Sequence, residues 1–111
     1  MDQRIRIVLT LMSDELQREW TPAELAAAVN LSTSRLQHLF KQETGTTPAR
    51  HLRALRLERA KALLETSLLS VKQIMHATGI KDRSHFERAF KRAYGLTPAQ
   101  CRATTPLARQ A

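Results

Sequence analysis

Residues 34–49, SRLQHLFKQETGTTPA, return fifty residues later as residues 84–99, SHFERAFKRAYGLTPA. Seven of the sixteen aligned positions are identical, and they include a Phe-Lys pair and a closing Gly-x-Thr-Pro-Ala block. Upstream of this stretch the offset falls by one residue, so that Asn30 pairs with Gly79. The chain therefore contains two copies of one structural unit, and the turn in the second copy is one residue longer.

Each copy has the start and stop signals of two short helices joined by a sharp turn. In the first copy, Thr-Pro at 21–22 caps and opens a helix, Asn30 tolerates the left-handed backbone of a turn, Ser32 caps the next helix and Gly45 ends it. The second copy has equivalent signals at Ser70, Gly79, Asp82 and Gly95. Both copies are therefore predicted to be helix-turn-helix units.

Three further helices complete an all-α fold. Apolar residues at helical spacing predict a first helix from Ile5 to Trp20, Thr47-Pro48 opens a long helix to about Glu65, and Thr97-Pro98 opens a short last helix. The predicted organisation has seven helices in two helix-turn-helix subdomains joined by a linking helix. Its segments are the N-terminal subdomain 1–46, the linking helix 47–66, the C-terminal subdomain 67–103 and a flexible tail 104–111.

Composition limits the class of protein and its partners. The 111 residues carry 18 Lys and Arg against 10 Asp and Glu, a net charge of +8 that favours a polyanionic partner such as DNA. The apolar runs are far shorter than the ~20 residues that span a bilayer, so no membrane partner is expected. The single cysteine, Cys101, cannot form an internal disulfide, and no secretory leader is recognisable. These features predict a cytoplasmic protein.

The second helix of each copy has an apolar face and a polar face. At 100° per residue, Leu36, Leu39 and Phe40 share one side of the first copy, as Phe86, Ala89 and Phe90 do in the second. Polar side chains of the types that read base edges lie opposite. The predicted base-reading residues are Ser34, Gln37, His38, Arg83, Ser84, Glu87 and Arg88. Lys41 and Lys91 on the same faces are predicted to contact phosphates.

The expected contacts differ among these residues. Arg83 and Arg88 suit a bidentate contact with guanine, and Gln37 suits adenine. Glu87 has two interpretations: it accepts from a cytosine amino group, or it orients one of the two arginines. Each residue alone is also compatible with an ordinary solvated surface, and this alternative is weakest for Arg83 and Arg88. The equivalent placement of the two polar faces, together with the basic charge, favours DNA for the set.

No catalytic, metal or cofactor site is predicted. The four histidines lack the spacing that sets two ligands on one helical turn. Ser84 and His85 are neighbours on a helix and point about 100° apart, which does not make a nucleophile-base pair. The aromatic residues fall at core positions and are too few for a base-stacking platform. The protein is therefore not expected to be an enzyme.

The sequence resembles the DNA-binding region of AraC/XylS-type bacterial transcription regulators over residues 4–103. The resemblance rests on apolar, Gly-x-Thr-Pro and basic positions in both copies and in the linking helix. In the first half these are Leu25-Ala26, Leu31-Ser32, Leu36, Leu39-Phe40-Lys41, Gly45, Pro48, Leu52-Arg53, Arg56-Leu57, Ala60 and Leu63-Leu64. In the second half they are Ile74, Gly79-Ile80, Phe86, Phe90-Lys91, Gly95, Thr97-Pro98 and Arg102.

The resemblance implies that two helices, 32–44 and 82–94, enter successive major grooves of duplex DNA. It places the family's base-reading positions on the same seven residues that the face analysis selects. It also implies a transcription regulator, expected to be an activator that contacts RNA polymerase, that binds as a monomer and that associates with the bacterial nucleoid. The chain is then either a one-domain regulator or the C-terminal DNA-binding domain of a longer one.

Two positions depart from the family pattern, and two other functions stay open. Met75 replaces a small residue, which predicts looser packing of the second helix-turn-helix, and Ile80 replaces a phenylalanine. The first alternative function is a protein-interaction domain whose basic face binds an acidic partner. The second is a fragment of a DNA alkyl-transfer repair enzyme, against which the lack of a second cysteine and a metal cluster argues.

Overall fold

Seven α-helices form the described part of the protein. The structure is a computed structural model, and it describes residues 1–106 of the chain. The helices are α1 (Gln3–Asp14), α2 (Pro22–Ala28), α3 (Thr33–Thr44), α4 (Pro48–Thr66), α5 (Val71–Thr78), α6 (Arg83–Tyr94) and α7 (Pro98–Ala103). Residues 1–106 contain no β-strand, so the prediction of an all-α fold with seven helices is confirmed.

The chain divides into two compact units, and the boundary falls inside α4. The first unit is Met1–Leu55, and the second begins at Arg56. Leu52, in the first half of α4, belongs to the hydrophobic core of the first unit, whereas Leu64, in the second half, belongs to the core of the second unit. The helix predicted as a linker over 47–66 therefore also supplies part of each core.

The first helix is shorter than the sequence predicted. Apolar spacing predicted a helix through Trp20, but α1 ends at Asp14 and the chain turns. The Trp20 indole Nε1 donates to the backbone oxygen of Glu15 at 3.0 Å, and the Arg18 guanidinium lies 4.1 Å from the ring centroid. Leu16 and Trp20 pack against the core from this turn. The apolar spacing of Leu16 and Trp20 is thus typical of a helix, although the backbone at these residues is not helical.

The two helix-turn-helix turns have the predicted backbone. Asn30 has φ 57° and Gly79 has φ 77°, the left-handed region in which asparagine and glycine are the favoured residues. Ser32 caps α3 and Asp82 caps α6, also as predicted. Between the left-handed residue and the N-cap there is one residue in the first turn and two in the second. The prediction of a longer second turn is confirmed.

The helix pairs that form these units differ in how extensively their backbones approach each other. The backbones of α2 and α3 lie close together over more residues than those of α5 and α6. Ala26 of α2 and its equivalent in α5, Met75, are both buried, with exposed fractions of 2% and 8%. A methionine needs more room than an alanine in a close-packed interior. The less extensive approach of α5 and α6 agrees with the looser packing expected from Met75.

The cores also differ in aromatic content. Phe40 of α3 has one aromatic neighbour, the ring of His51, at 5.6 Å between centroids. Phe90, its equivalent in α6, contacts two rings edge to face: Phe86 at 5.8 Å and Tyr94 at 4.8 Å. Edge-to-face pairs add to the stabilisation from burial alone. The second unit therefore has a core with more aromatic contacts.

One arginine ties the helices of the second unit together. The Arg102 side chain donates from Nε to the backbone oxygen of Leu64 at 2.9 Å and from Nη2 to that of Leu69 at 2.7 Å. These bonds join α7 to the end of α4 and to the segment before α5. The neighbouring Cys101 is buried, and its burial raises the pKa of the thiol. Cys101 is therefore placed as a packing residue.

The chain stays packed just beyond α7. The sequence predicted a flexible tail over 104–111. Thr105 has an exposed fraction of 5%, and its hydroxyl donates to the backbone oxygen of Arg102 at 2.9 Å. The second unit thus includes at least this part of the predicted tail, while residues 107–111 lie outside the described residues.

Candidate DNA-binding surface

In the first unit, α3 buries one side and exposes the other. The Ser32 hydroxyl accepts a hydrogen bond from the backbone N–H of Arg35 at 3.1 Å and so fixes the start of the helix. Leu36, Leu39 and Phe40 are buried. The predicted DNA-contacting residues are all exposed: Ser34, Gln37, His38 and Lys41. They form a row of hydroxyl, amide, imidazole and ammonium groups along the solvent side of α3.

In the second unit, α6 has the same arrangement with a different set of side chains. The Asp82 carboxylate accepts from the backbone N–H of His85 at 3.0 Å, and Phe86 and Phe90 are buried. Ala89, which was predicted on the apolar face, is half-buried. The predicted DNA-contacting residues Arg83, Ser84, Arg88 and Lys91 are exposed, and Glu87 is partly exposed. Each unit thus presents its own predicted row.

An ion pair joins two members of the row on α6. Arg83 Nε donates to Glu87 Oε1 at 3.2 Å, one turn along the helix. The two side chains remain 61% and 46% exposed. The sequence left two interpretations of Glu87, an acceptor for a base or a partner for an arginine. In the structure the carboxylate contacts Arg83.

The two helices that carry these rows differ in charge. Helix α6 carries four Lys and Arg residues and one Glu, a net charge of +3 by subtraction, with histidine neutral. Helix α3 carries two cations and one Glu, a net charge of +1. Because phosphate attraction grows with the number of cations, α6 is the helix better suited to a polyanionic partner.

Sequence analysis missed two exposed cations beside these rows. Arg92 follows Arg88 by four residues and therefore lies one turn along the same side of α6. Arg35 is exposed next to Ser34 near the start of α3. A search for Lys and Arg one turn beyond each predicted contact would have found Arg92.

Other kinds of site were sought within residues 1–106. None of the helices there combines the length and apolar character needed to cross a bilayer. Within the same range, no three side chains of the His, Cys, Asp and Glu types are grouped in a way that could hold a metal ion. The exposed rows on α3 and α6 are therefore the candidate surface that the described residues offer.

Comparison with known proteins agrees with this arrangement. A family model for a helix-turn-helix domain matches residues 25–104, which is more than half of the chain. The HTH-type transcriptional activator RhaS of Klebsiella pneumoniae (strain 342) is 36% identical over 101 residues. The match covers 91% of this chain but 36% of that protein. The chain thus spans little more than a third of the length of this curated relative.

Solved structures share the fold over most of both chains. An AraC-type transcriptional regulator from Chromobacterium violaceum superposes with a TM-score of 0.84 at 30% identity, covering 93% of this chain and 94% of the other. The DNA-binding domain of AdpA, a global transcriptional factor solved in complex with a target DNA, superposes with a TM-score of 0.88 at 27% identity and covers 98% of both chains. The resemblance seen in the sequence is confirmed: the chain belongs to the family of AraC-type helix-turn-helix DNA-binding domains of bacterial transcription regulators.

Proposed function

We propose that the protein binds a specific duplex DNA sequence by inserting α3 and α6 into successive major grooves, and that it activates transcription. The observation that carries the proposal is the pair of equivalent exposed rows, each on the second helix of a helix-turn-helix unit. That helix is the one that reads base edges in such units. The AdpA domain, which has the same fold, was solved in complex with a target DNA, and this supports DNA as the ligand.

The side chains of the two rows suit different bases. Arg83 and Arg88 present guanidinium groups for guanine, and Gln37 presents an amide for adenine. Shorter or weaker donors complete the base-reading set: Ser34, His38 and Ser84. Lys41 and Lys91 contact phosphates, which set affinity and register without reading sequence, and the position of Arg92 suits the same task.

Unequal rows imply unequal half-sites. The first unit offers mostly neutral groups and the second mostly charged ones, so one chain reads two different sequences. A site of this kind is asymmetric and needs no second copy of the protein. We therefore propose that this chain binds as a monomer, on a target about a helical turn longer than either half-site.

Activation implies a partner besides DNA. The relative RhaS is named a transcriptional activator, and the direct route to activation is contact with RNA polymerase. We propose this partner for the present protein, which would act in the bacterial cytoplasm on nucleoid DNA.

Selection from a random duplex library tests the proposal. We expect enrichment of an asymmetric motif with two different half-sites, bound with a steep salt dependence. The variant Arg88→Ala should relax preference at one base pair by about 1–3 kcal/mol. The matched control is Arg6→Ala, because Arg6 is an exposed cation on α1, outside both rows. Weak binding that is indifferent to sequence would contradict the proposal and favour an acidic protein partner.

A further inference from the structure

We propose that Glu87 is a positioning residue, whose carboxylate holds the Arg83 guanidinium in place for guanine and does not itself read a base. The inference rests on the proposed function, since it concerns how α6 reads DNA. It assigns guanine to the base pair that faces Arg83, and it makes Glu87 a determinant of selectivity at that same base pair.

The geometry of the ion pair leaves the reading edge of Arg83 open. Glu87 Oε1 accepts from Nε, at 3.2 Å, which is one of five donors on the guanidinium. The Nη donors stay available to bond the two acceptors of guanine, O6 and N7. A free arginine side chain loses rotamer entropy when it is ordered. Glu87 removes part of that loss before DNA binds.

Charge argues against direct base reading by Glu87. A lone carboxylate that approaches DNA is repelled by the phosphates, whereas the pair with Arg83 has no net charge. The carboxylate is also less exposed than its partner, with 46% of the side chain accessible against 61%. Arg83 is therefore the more exposed member of the pair, and we expect its guanidinium to be the group that meets DNA.

The equivalent positions of the first unit cannot form this ion pair. The positions equivalent to Arg83 and Glu87 are Thr33 and Gln37, which carry no charge. The guanine preference that the pair confers is therefore expected in one half-site only. An exposed pair of this kind contributes little to helix stability, so its main effect is expected in selectivity.

A double-mutant cycle on a panel of duplexes tests the role. Each base pair of the selected motif is varied in turn, and binding is measured for the wild type, Arg83→Ala, Glu87→Ala, Glu87→Gln and the Arg83→Ala/Glu87→Ala double variant. We expect Arg83→Ala to lose roughly tenfold discrimination at one base pair. Glu87→Ala should lose about threefold or more at that same base pair, and the double variant should match Arg83→Ala.

The matched control is an ion pair on another helix. Glu65→Ala removes an ion pair of the same length and spacing, with Lys61 on α4, and should relax no base pair. Circular dichroism confirms that each variant is folded. Relaxation by Glu87→Ala at a different base pair would show that Glu87 reads a base itself, and relaxation at none would reduce it to a helix-stabilising role; either result overturns the inference. Failure of the wild type to select any motif would instead contradict the proposed function.

Discussion

The two helix-turn-helix units share one backbone plan but are packed differently. Both have a left-handed residue in the turn and a capped second helix with a buried phenylalanine at the same place. The backbones of the helix pair approach each other more extensively in the first unit, where Ala26 is buried, than in the second, where the equivalent buried residue is Met75. Caps and turns therefore define the helix-turn-helix motif, while the contacts between its two helices can differ from one copy to the other.

The largest expected effect comes from the buried phenylalanines. Phe40→Ala and Phe90→Ala should each lower the free energy of unfolding by about 3–5 kcal/mol, because both rings are fully buried. Phe90→Ala should lower the free energy of unfolding by about 1 kcal/mol more than Phe40→Ala, since Phe90 contacts two rings and Phe40 contacts one.

Urea unfolding can assign each loss to its unit. The single tryptophan, Trp20, lies in the first unit, and the single tyrosine, Tyr94, lies in the second. Trp20 fluorescence should therefore respond first to Phe40→Ala, and far-ultraviolet circular dichroism should record both transitions. A greater loss for Phe40→Ala would mean that the aromatic contacts add nothing to the second core.

Exchanging Ala26 and Met75 tests whether side-chain size sets the helix spacing. Ala26→Met should lower the free energy of unfolding by about 1–3 kcal/mol, because Ala26 is buried and a longer side chain must displace its packed neighbours. Met75→Ala should lower the free energy of unfolding by about 2 kcal/mol if α5 and α6 move closer together and reduce the cavity. This loss is at the low end of the range for replacing a buried methionine with alanine. Urea unfolding measures both. A neutral Ala26→Met variant would show that the close spacing of α2 and α3 has another cause.

The two turns should respond differently when the residue in the left-handed conformation is substituted. Gly79→Ala forces a Cβ into a backbone with φ 77° and should lower the free energy of unfolding by about 1–2 kcal/mol. Asn30→Gly, at φ 57°, should change it by less than about 0.5 kcal/mol, because glycine adopts this conformation without strain. Thermal melts measure both variants. Equal losses would indicate that the asparagine side chain stabilises its turn in a way glycine does not replace.

Local features were predictable from the sequence, and features set by tertiary contacts were not. Asn30, Gly79 and the caps follow from the preferences of single residues for particular backbone conformations. The end of α1 could not be predicted, because Trp20 reaches the core through a turn and mimics helical spacing. The exposed rows were predictable from helix phase alone. The partner of Glu87 was not, since two arginines lay within reach and only atomic positions distinguish them.

The smallest effect on stability, and the sharpest test of the surface, comes from exchanging the caps of α3 and α6. Ser32 and Asp82 each accept the backbone N–H three residues on, at 3.1 and 3.0 Å, so Ser32→Asp and Asp82→Ser should change stability by less than about 0.5 kcal/mol. Asp82 nevertheless places a negative charge at the start of the proposed reading helix. Asp82→Ser should therefore raise DNA affinity several-fold at low salt, and Ser32→Asp should lower it, with both differences shrinking as salt screens the phosphates. Weaker binding by Asp82→Ser at every salt concentration would mean that the carboxylate positions α6 on DNA. The difference in DNA affinity between the two units would then depend on the cap residue as well as on the exposed row.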